Sequence, residues 1–282
     1  MSVYLSSQSE GAVCLLGAPF DSTASFRPGA RFGPAAIREA SYGLETFSPA
    51  LNGDLGDFPF MDLGDLELPF GDPNPALLMI EQAVGKILSA GRVPFLLGGE
   101  HLVSLGAIRA LHRVHPGLAL VHIDAHADLR EDYLGQKLSH ATVMRRASEL
   151  LAPESIRQIG VRSCTREEYG LAGALRSIPE NVALRVGEKP CYLTCDLDVL
   201  DPSVLPGTGT PEPGGMTFQE LASTLVTLVT RLNVVGIDVV ELAPNLDPTG
   251  VSAVVAAKVV RECLIALGRG PGSRATQSGA AD

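Results

Sequence analysis

Basic residues are scarce in this chain: 22 lysines and arginines stand against 32 aspartates and glutamates, a formal net charge of −10 over 282 residues. Nucleic acid and anionic membrane both reward basic patches, so neither is an expected partner. A small cationic ligand is compatible with the balance. Apolar runs of membrane-spanning length, free of glycine and charge, are also missing. The N-terminus lacks the basic start and continuous apolar core of a signal peptide, and the expectation is a soluble, cytoplasmic protein. Cysteines are few and odd in number, at Cys14, Cys164, Cys191, Cys195 and Cys263, several of them within or beside apolar strands. That pattern reads as reduced core thiols rather than a disulfide framework. Internal repeats are absent, and no break in composition divides the chain. Hydrophobic residues make up 45% of it, enough for one large α/β domain with a substantial core over residues 1–267. Small residues without apolar periodicity fill 268–282, which are expected to form a frayed, flexible tail.

Strand-like apolar runs at 13–16, 93–97, 118–123, 156–161, 191–195 and 234–240 alternate with helical patterns near 34–41, 75–90, 102–113, 140–150, 217–231 and 250–266. This alternation predicts an α/β fold of three layers, α/β/α, around a central, mostly parallel sheet. Ligands of such folds gather beyond the carboxyl ends of the strands. Turn-rich segments at 21–34 and 202–215 are expected to form the rim of that pocket.

Three of the apolar runs end in candidate metal ligands. After 118–121 comes Asp124-Ala125-His126-Ala127-Asp128, and in an extended chain the alternate residues Asp124, His126 and Asp128 line one face. The run at 191–194 delivers Asp196 and Asp198 in the same alternating manner, and the run at 93–97 leads into Gly98-Gly99-Glu100-His101. Taken singly, Asp196 could equally cap a turn. Together, four carboxylates and two imidazoles carry four negative charges, which two divalent cations balance, and oxygen-rich coordination suits Mn²⁺ better than thiolate-seeking metals. A pair of such ions acidifies a shared water and points to hydrolysis. A single catalytic zinc uses three protein ligands, fewer than this set offers. Other acids and histidines read as structure: His122, deeper in the strand, as a hydrogen-bonded core residue, and Asp201 as a turn or cap residue. Cys195 lies between two ligands and should point away from them.

From Gly17-Ala18-Pro19-Phe20-Asp21 to Ala256-Ala257-Lys258, with the three motifs in order, the chain resembles the ureohydrolases, which comprise arginases, agmatinases and their relatives. The resemblance implies an arginase-like fold and two Mn²⁺ ions per subunit. One would be held by His101, Asp124, Asp128 and Asp196, the other by Asp124, His126, Asp196 and Asp198, with Asp124 and Asp196 bridging. It further implies that a bridging hydroxide attacks the guanidinium carbon, that Glu241 pairs with the guanidinium, and that His140, in Ser139-His140-Ala141-Thr142, moves protons. The departing amine would be protonated through Asp128 or Asp198 and His140. The chemistry needs both groups: a guanidinium is held by paired hydrogen bonds from a carboxylate, and a histidine near its ordinary pKa is a suitable proton donor. A homo-oligomer, trimer or hexamer, is also implied. Glu100 departs from the commonest form of the family motif, which has Asp before the ligand histidine, and the longer acid is expected to orient the His101 ring.

Within the family, Leu129-Arg130-Glu131-Asp132-Tyr133, Gly135 and the rim segments 25–34 and 206–215 resemble agmatinases more than arginases. The implied reaction converts agmatine to putrescine and urea, a step of polyamine biosynthesis. Glu131 or Asp132 would sense the far ammonium of agmatine, or both would sit solvated on a loop. N1-aminopropylagmatine or 4-guanidinobutyrate would serve the same catalytic floor, the latter needing a basic partner such as Arg27 or Arg130, which could instead be fixing loops. A metal-dependent deacetylase built around one zinc would leave His101 and the second carboxylate set without a role. A non-catalytic metal-binding protein predicts the loss of a ligand, and all six are present.

Overall fold

Strands buried on both faces read as continuous apolar text, and the sheet of this protein is built from such strands. The computed structural model describes residues 2–172 and 177–270. Among them, β1 (Val13–Ala18), β4 (Phe60–Asp65), β5 (Val93–Gly98), β6 (Ala119–Ile123), β7 (Ile156–Ile159), β8 (Pro190–Asp196) and β9 (Asn233–Val240) form one sheet. Its order is β4-β1-β5-β9-β8-β6-β7, and every neighbouring pair is parallel. A separate antiparallel pair, β2 (Phe47–Ser48) and β3 (Gly53–Asp54), lies outside it.

Alternation along the strands sorts the core into two halves. Phe95, Leu97, Leu193, Ile237 and Val239 pack with α1 (Gly33–Ser41), α6 (Pro179–Val186), α7 (Phe218–Arg231) and α8 (Val251–Arg269). On the opposite face Leu96, Leu120, Tyr192 and Val240 pack with α2 (Pro73–Ser89), α3 (Ser104–Val114) and α4 (Val143–Ala147). The three-layer α/β/α fold read from the sequence is therefore borne out, with a wholly parallel sheet. No helix among the described residues is long and apolar enough to cross a membrane. Cys14, Cys191, Cys195 and Cys263 are buried thiols without disulfide partners.

Three features depart from the expected element list. Strand β4 escapes apolar patterning because its sequence carries Asp62 and Asp65. Both acids bind Arg38 of α1, which is itself 2% exposed; Asp62 accepts Nε at 2.8 Å and Nη2 at 2.9 Å. Helices α5 (Arg166–Ala172) and α6 are short and lie outside the helical patterns of the sequence. The helical pattern expected at 140–150 opens as a 3-10 turn, His140–Thr142, before α4 begins. Helix α8 runs through Arg269, and residues 271–282 of the expected tail lie outside the described residues.

Candidate metal centre and catalytic cleft

Four adjacent central strands, β5, β9, β8 and β6, deliver the candidate residues at their carboxyl ends. His101 follows β5, Asp124 to Asp128 follow β6, Asp196 closes β8, Asp198 sits in the 3-10 turn after it, and Glu241 follows β9. Two close-set groups of donor atoms result, each within 4.8 Å: His101, His122, Asp124 and Asp128 in one, Asp124, His126 and Asp198 in the other. Asp196 joins them through Oδ2, 3.2 Å from His101 Nδ1. Alternate spacing also gives each acid a local anchor, since Asp124 Oδ1 accepts the His126 N–H at 2.6 Å and Asp196 Oδ1 accepts the Asp198 N–H at 2.8 Å.

The fit of these residues to cations is testable at His101. Its Nε2 meets Thr194 Oγ1 at 2.9 Å, and the Thr194 hydroxyl donates to Asp238 Oδ1 at 2.7 Å. With that hydroxyl proton committed to Asp238, Thr194 accepts, so Nε2 carries the imidazole hydrogen and Nδ1 presents a lone pair. Nδ1 is buried without a hydrogen bond, 3.0 Å from Asp124 Oδ2 and 3.4 Å from Asp128 Oδ2. An unpartnered nitrogen facing three carboxylates is the arrangement of a metal ligand with its ring fixed from behind. The expected orienting role of Glu100 is thereby corrected. Thr194 and Asp238 orient the ring, whereas Glu100 turns the other way and binds Thr23.

Charge at the centre is unbalanced without cations. Burial, then the neighbouring acids, pushes Asp128 and Asp196 well above the usual carboxylate range and raises Asp198. Burial acts the same way on Asp124, but the histidines around it, His122 first, hold it well below that range. His101 and His126 are raised despite burial, by the aspartates set against them. The site demands positive charge. His126 Nδ1 lies 2.9 Å from Asp198 Oδ2, to which Thr210 Oγ1 also donates at 3.2 Å. His122 is the buried, hydrogen-bonded residue read from the sequence. Gln158 donates to its Nδ1 at 2.9 Å, so Nε2 donates to Asp124 Oδ2 at 2.7 Å.

Above the acids opens a cleft of about 250 Å³. His101, His126, Asp128, Asp196, His140 and Glu241 line it, while Asp124 and Asp198 lie buried below. Glu241 accepts the His101 N–H at 2.7 Å, and burial followed by the Asp196 and Glu100 charges raises its pKa well above normal. Asp128 and Glu241 both take left-handed backbone conformations, φ 53° and 66°. His140 stands on the rim with Nε2 3.3 Å from Ser25 Oγ and its ring edge-on to Tyr133, centroids 5.8 Å apart. Burial pushes its pKa down to about 4, where the sequence expectation was an ordinary imidazole.

The loop acids are placed differently from one of the two readings offered for them. Glu131 is held by Arg145 at 2.7 Å and Arg146 at 3.2 Å, and Asp132 accepts the Gly135 N–H at 3.2 Å; both are exposed and neither lines the cleft. The acid in that wall is Glu168, which sequence reasoning passed over. It is 4% exposed and closes a reciprocal cap with Thr165, each side chain binding the other's N–H at 2.8 and 3.2 Å. The Thr165-x-x-Glu168 spacing was the available signal. Arg130 also lines the cleft, 4.8 Å over the Tyr133 ring. Arg27 instead fixes the rim, donating to the Thr208 carbonyl at 2.8 Å. Asp201 is the turn acid expected, accepting from Ser203 and from the Gly214 and Gly215 N–H groups.

Comparison with known proteins agrees with this geometry. The model of the Arginase family matches residues 11–266. The agmatinase of Bacillus subtilis (strain 168) is 45% identical over 267 residues, 91% of this chain and 92% of the relative. The N(1)-aminopropylagmatine ureohydrolase of Thermococcus kodakarensis is 38% identical, covering 85% of this chain and 86% of its own. Among solved structures, the agmatine ureohydrolase of Thermoplasma volcanium superposes with a TM-score of 0.85 at 31% identity, over 95% of each chain.

Proposed function

The chain belongs to the arginase family and is a ureohydrolase, and from that premise we propose that it cleaves the guanidino group of agmatine to give putrescine and urea. The observation that carries the proposal is the gathering of His101, His126 and four buried aspartates in and below one cleft that Glu241 also lines, in a chain 45% identical to an agmatinase. Two Mn²⁺ ions per subunit would be held by His101, Asp124, Asp128 and Asp196, and by Asp124, His126, Asp196 and Asp198. When bound, such a pair supplies an acidified water as nucleophile and neutralises the aspartates.

The protein's own groups do the rest. Glu241 binds the guanidinium through paired hydrogen bonds, and an arriving cation favours the ionised form that burial disfavours. Its backbone is tied to the carboxyl end of the neighbouring strand β5 by the Glu241 N–H to Gly99 carbonyl bond of 2.9 Å, which fixes the carboxylate in the cleft. His140 is neutral at rest. Burial lowers its pKa to about 4, which makes its protonated form a stronger acid than a free imidazole. That form hands its proton readily to the departing amine, with Asp128 or Asp198 as the inner carrier. Glu168 faces the far ammonium in place of Glu131 or Asp132. The reading includes one ureohydrolase domain over residues 1–267, a homo-oligomer, either trimer or hexamer, and a cytoplasmic place in polyamine biosynthesis.

The test is urea release from agmatine, N1-aminopropylagmatine, 4-guanidinobutyrate and arginine by protein stripped of metal and reloaded with Mn²⁺. Selective turnover of agmatine is the expected result. Preference for another guanidine moves the substrate and keeps the chemistry, and no urea from any of them overturns the proposal.

A further inference from the structure

Glu100 precedes a ligand candidate in the chain, yet both of its carboxylate oxygens are used on a residue 77 positions away. Oε2 accepts the Thr23 N–H at 2.9 Å, and Oε1 accepts the Thr23 hydroxyl at 2.6 Å. The hydroxyl oxygen in turn accepts the His140 N–H at 3.1 Å. Helix starts leave their first N–H groups without partners inside the turn, and His140 opens the turn His140–Thr142, so Thr23 satisfies a group its own element cannot. Ser25, two residues beyond Thr23, brings its hydroxyl to 3.3 Å from His140 Nε2.

The platform under this chain of bonds is rigid. Glu100 is fully buried, and its N–H donates to the Phe20 carbonyl at 2.7 Å. At Gly99 a side-chain carbon would sit 2.0 Å from that same carbonyl oxygen, so the two backbones meet only because glycine stands there.

We propose that Glu100 and Thr23 are positioning residues for His140. Glu100 clamps Thr23 at two points and claims its hydroxyl proton, which leaves the oxygen's lone pair for the His140 backbone. The imidazole is thereby held over the cleft from a fixed base. Neither residue touches the reacting atoms; they act through His140, and the inference rests on reading His140 as the proton carrier.

The experiment compares Thr23→Ser, Thr23→Val, His140→Ala and the double variant Thr23→Val/His140→Ala in the Mn²⁺-loaded protein, measuring kcat, KM, bound manganese and melting temperature. Thr23→Ser keeps the hydroxyl and should keep kcat within about twofold. Thr23→Val should lower kcat about 10- to 100-fold with KM and bound manganese unchanged, the scale of a misplaced catalytic group. In the His140→Ala background it should cost nothing further, because residues acting through one another are not additive. If Thr23→Val does not fold, Glu100→Gln takes its place with the same expectations. Undiminished kcat in Thr23→Val, an equal loss in both backgrounds, or manganese lost in parallel with kcat would each overturn the inference. Full activity in His140→Ala would overturn the reading of His140 and this inference with it. An impaired His140→Ala beside an active Thr23→Val would overturn the inference alone.

Discussion

Asp128 and Glu241 hold left-handed backbone conformations that residues with side chains keep only when their surroundings impose them. Both lie where a strand end must aim a carboxylate into the cleft. The spacing of the candidates was legible as alternation in the sequence, although β6 ends at Ile123, Asp128 is left-handed and Asp198 sits in a 3-10 turn, so the pattern marks the residues without the extended backbone that suggested it. The strain was not, since no residue pattern marks a left-handed glutamate. Also hidden were Thr23 as the partner of Glu100 and the Leu129 N–H that Glu168 accepts, 77 and 39 positions away. Glu241→Gln keeps the shape of the side chain and removes its charge. We expect kcat/KM for the guanidine to fall about 10- to 100-fold, the loss of one charged hydrogen bond, with bound manganese unchanged. Steady-state urea assays beside metal analysis read this directly, and a variant with wild-type kcat/KM would remove Glu241 from the site.

At the scale of elements, the strands that announce themselves are those covered on both faces, and the one that does not is β4 at the sheet edge. Its acids would be out of place in an isolated strand. They fit because Arg38 reaches them from α1, an ion cluster closed across 24 and 27 positions. Such a cluster is costly to break from one side, because the partners are left charged and unpaired. Arg38→Ala should therefore destabilise the protein by about 3–5 kcal/mol, measured by denaturant unfolding. A loss under about 1 kcal/mol would mean that the acids find water instead. Helices α5 and α6, at seven and eight residues, are too short to show a period against their polar composition.

For the whole molecule, the balance of charge couples stability to pH and metal. Burial raises Asp128, Asp196, Asp198 and Glu241 above ordinary carboxylates and takes Glu100 up to about 8. A carboxyl raised on folding contributes stability below its unfolded pKa, near 4, and loses it as pH rises through the folded value. His101 and His126, also raised, lose stability in the same direction. Asp124 is lowered and acts in the opposite sense, at acid pH. Protein held in chelator should thus melt at falling temperature between about pH 6 and 9. Added Mn²⁺ should raise the melting temperature more at pH 9 than at pH 6, since the ions replace protons. Calorimetry at both values checks the sign, and a pH-independent melt in chelator would contradict it.

The strand order carries one more consequence, for the sequence of events in folding. Strand β9 is the last in the chain and lies between β5 and β8. Without it the pairing order divides into two ribbons, β4-β1-β5 and β8-β6-β7. His101 follows the first, and the four candidate aspartates belong to the second. Pairing of β9 with β5 and β8 joins the ribbons, brings the two parts of the candidate ligand set together and carries Glu241 into the cleft. Full metal affinity is therefore expected only of a chain in which β9 has joined the sheet.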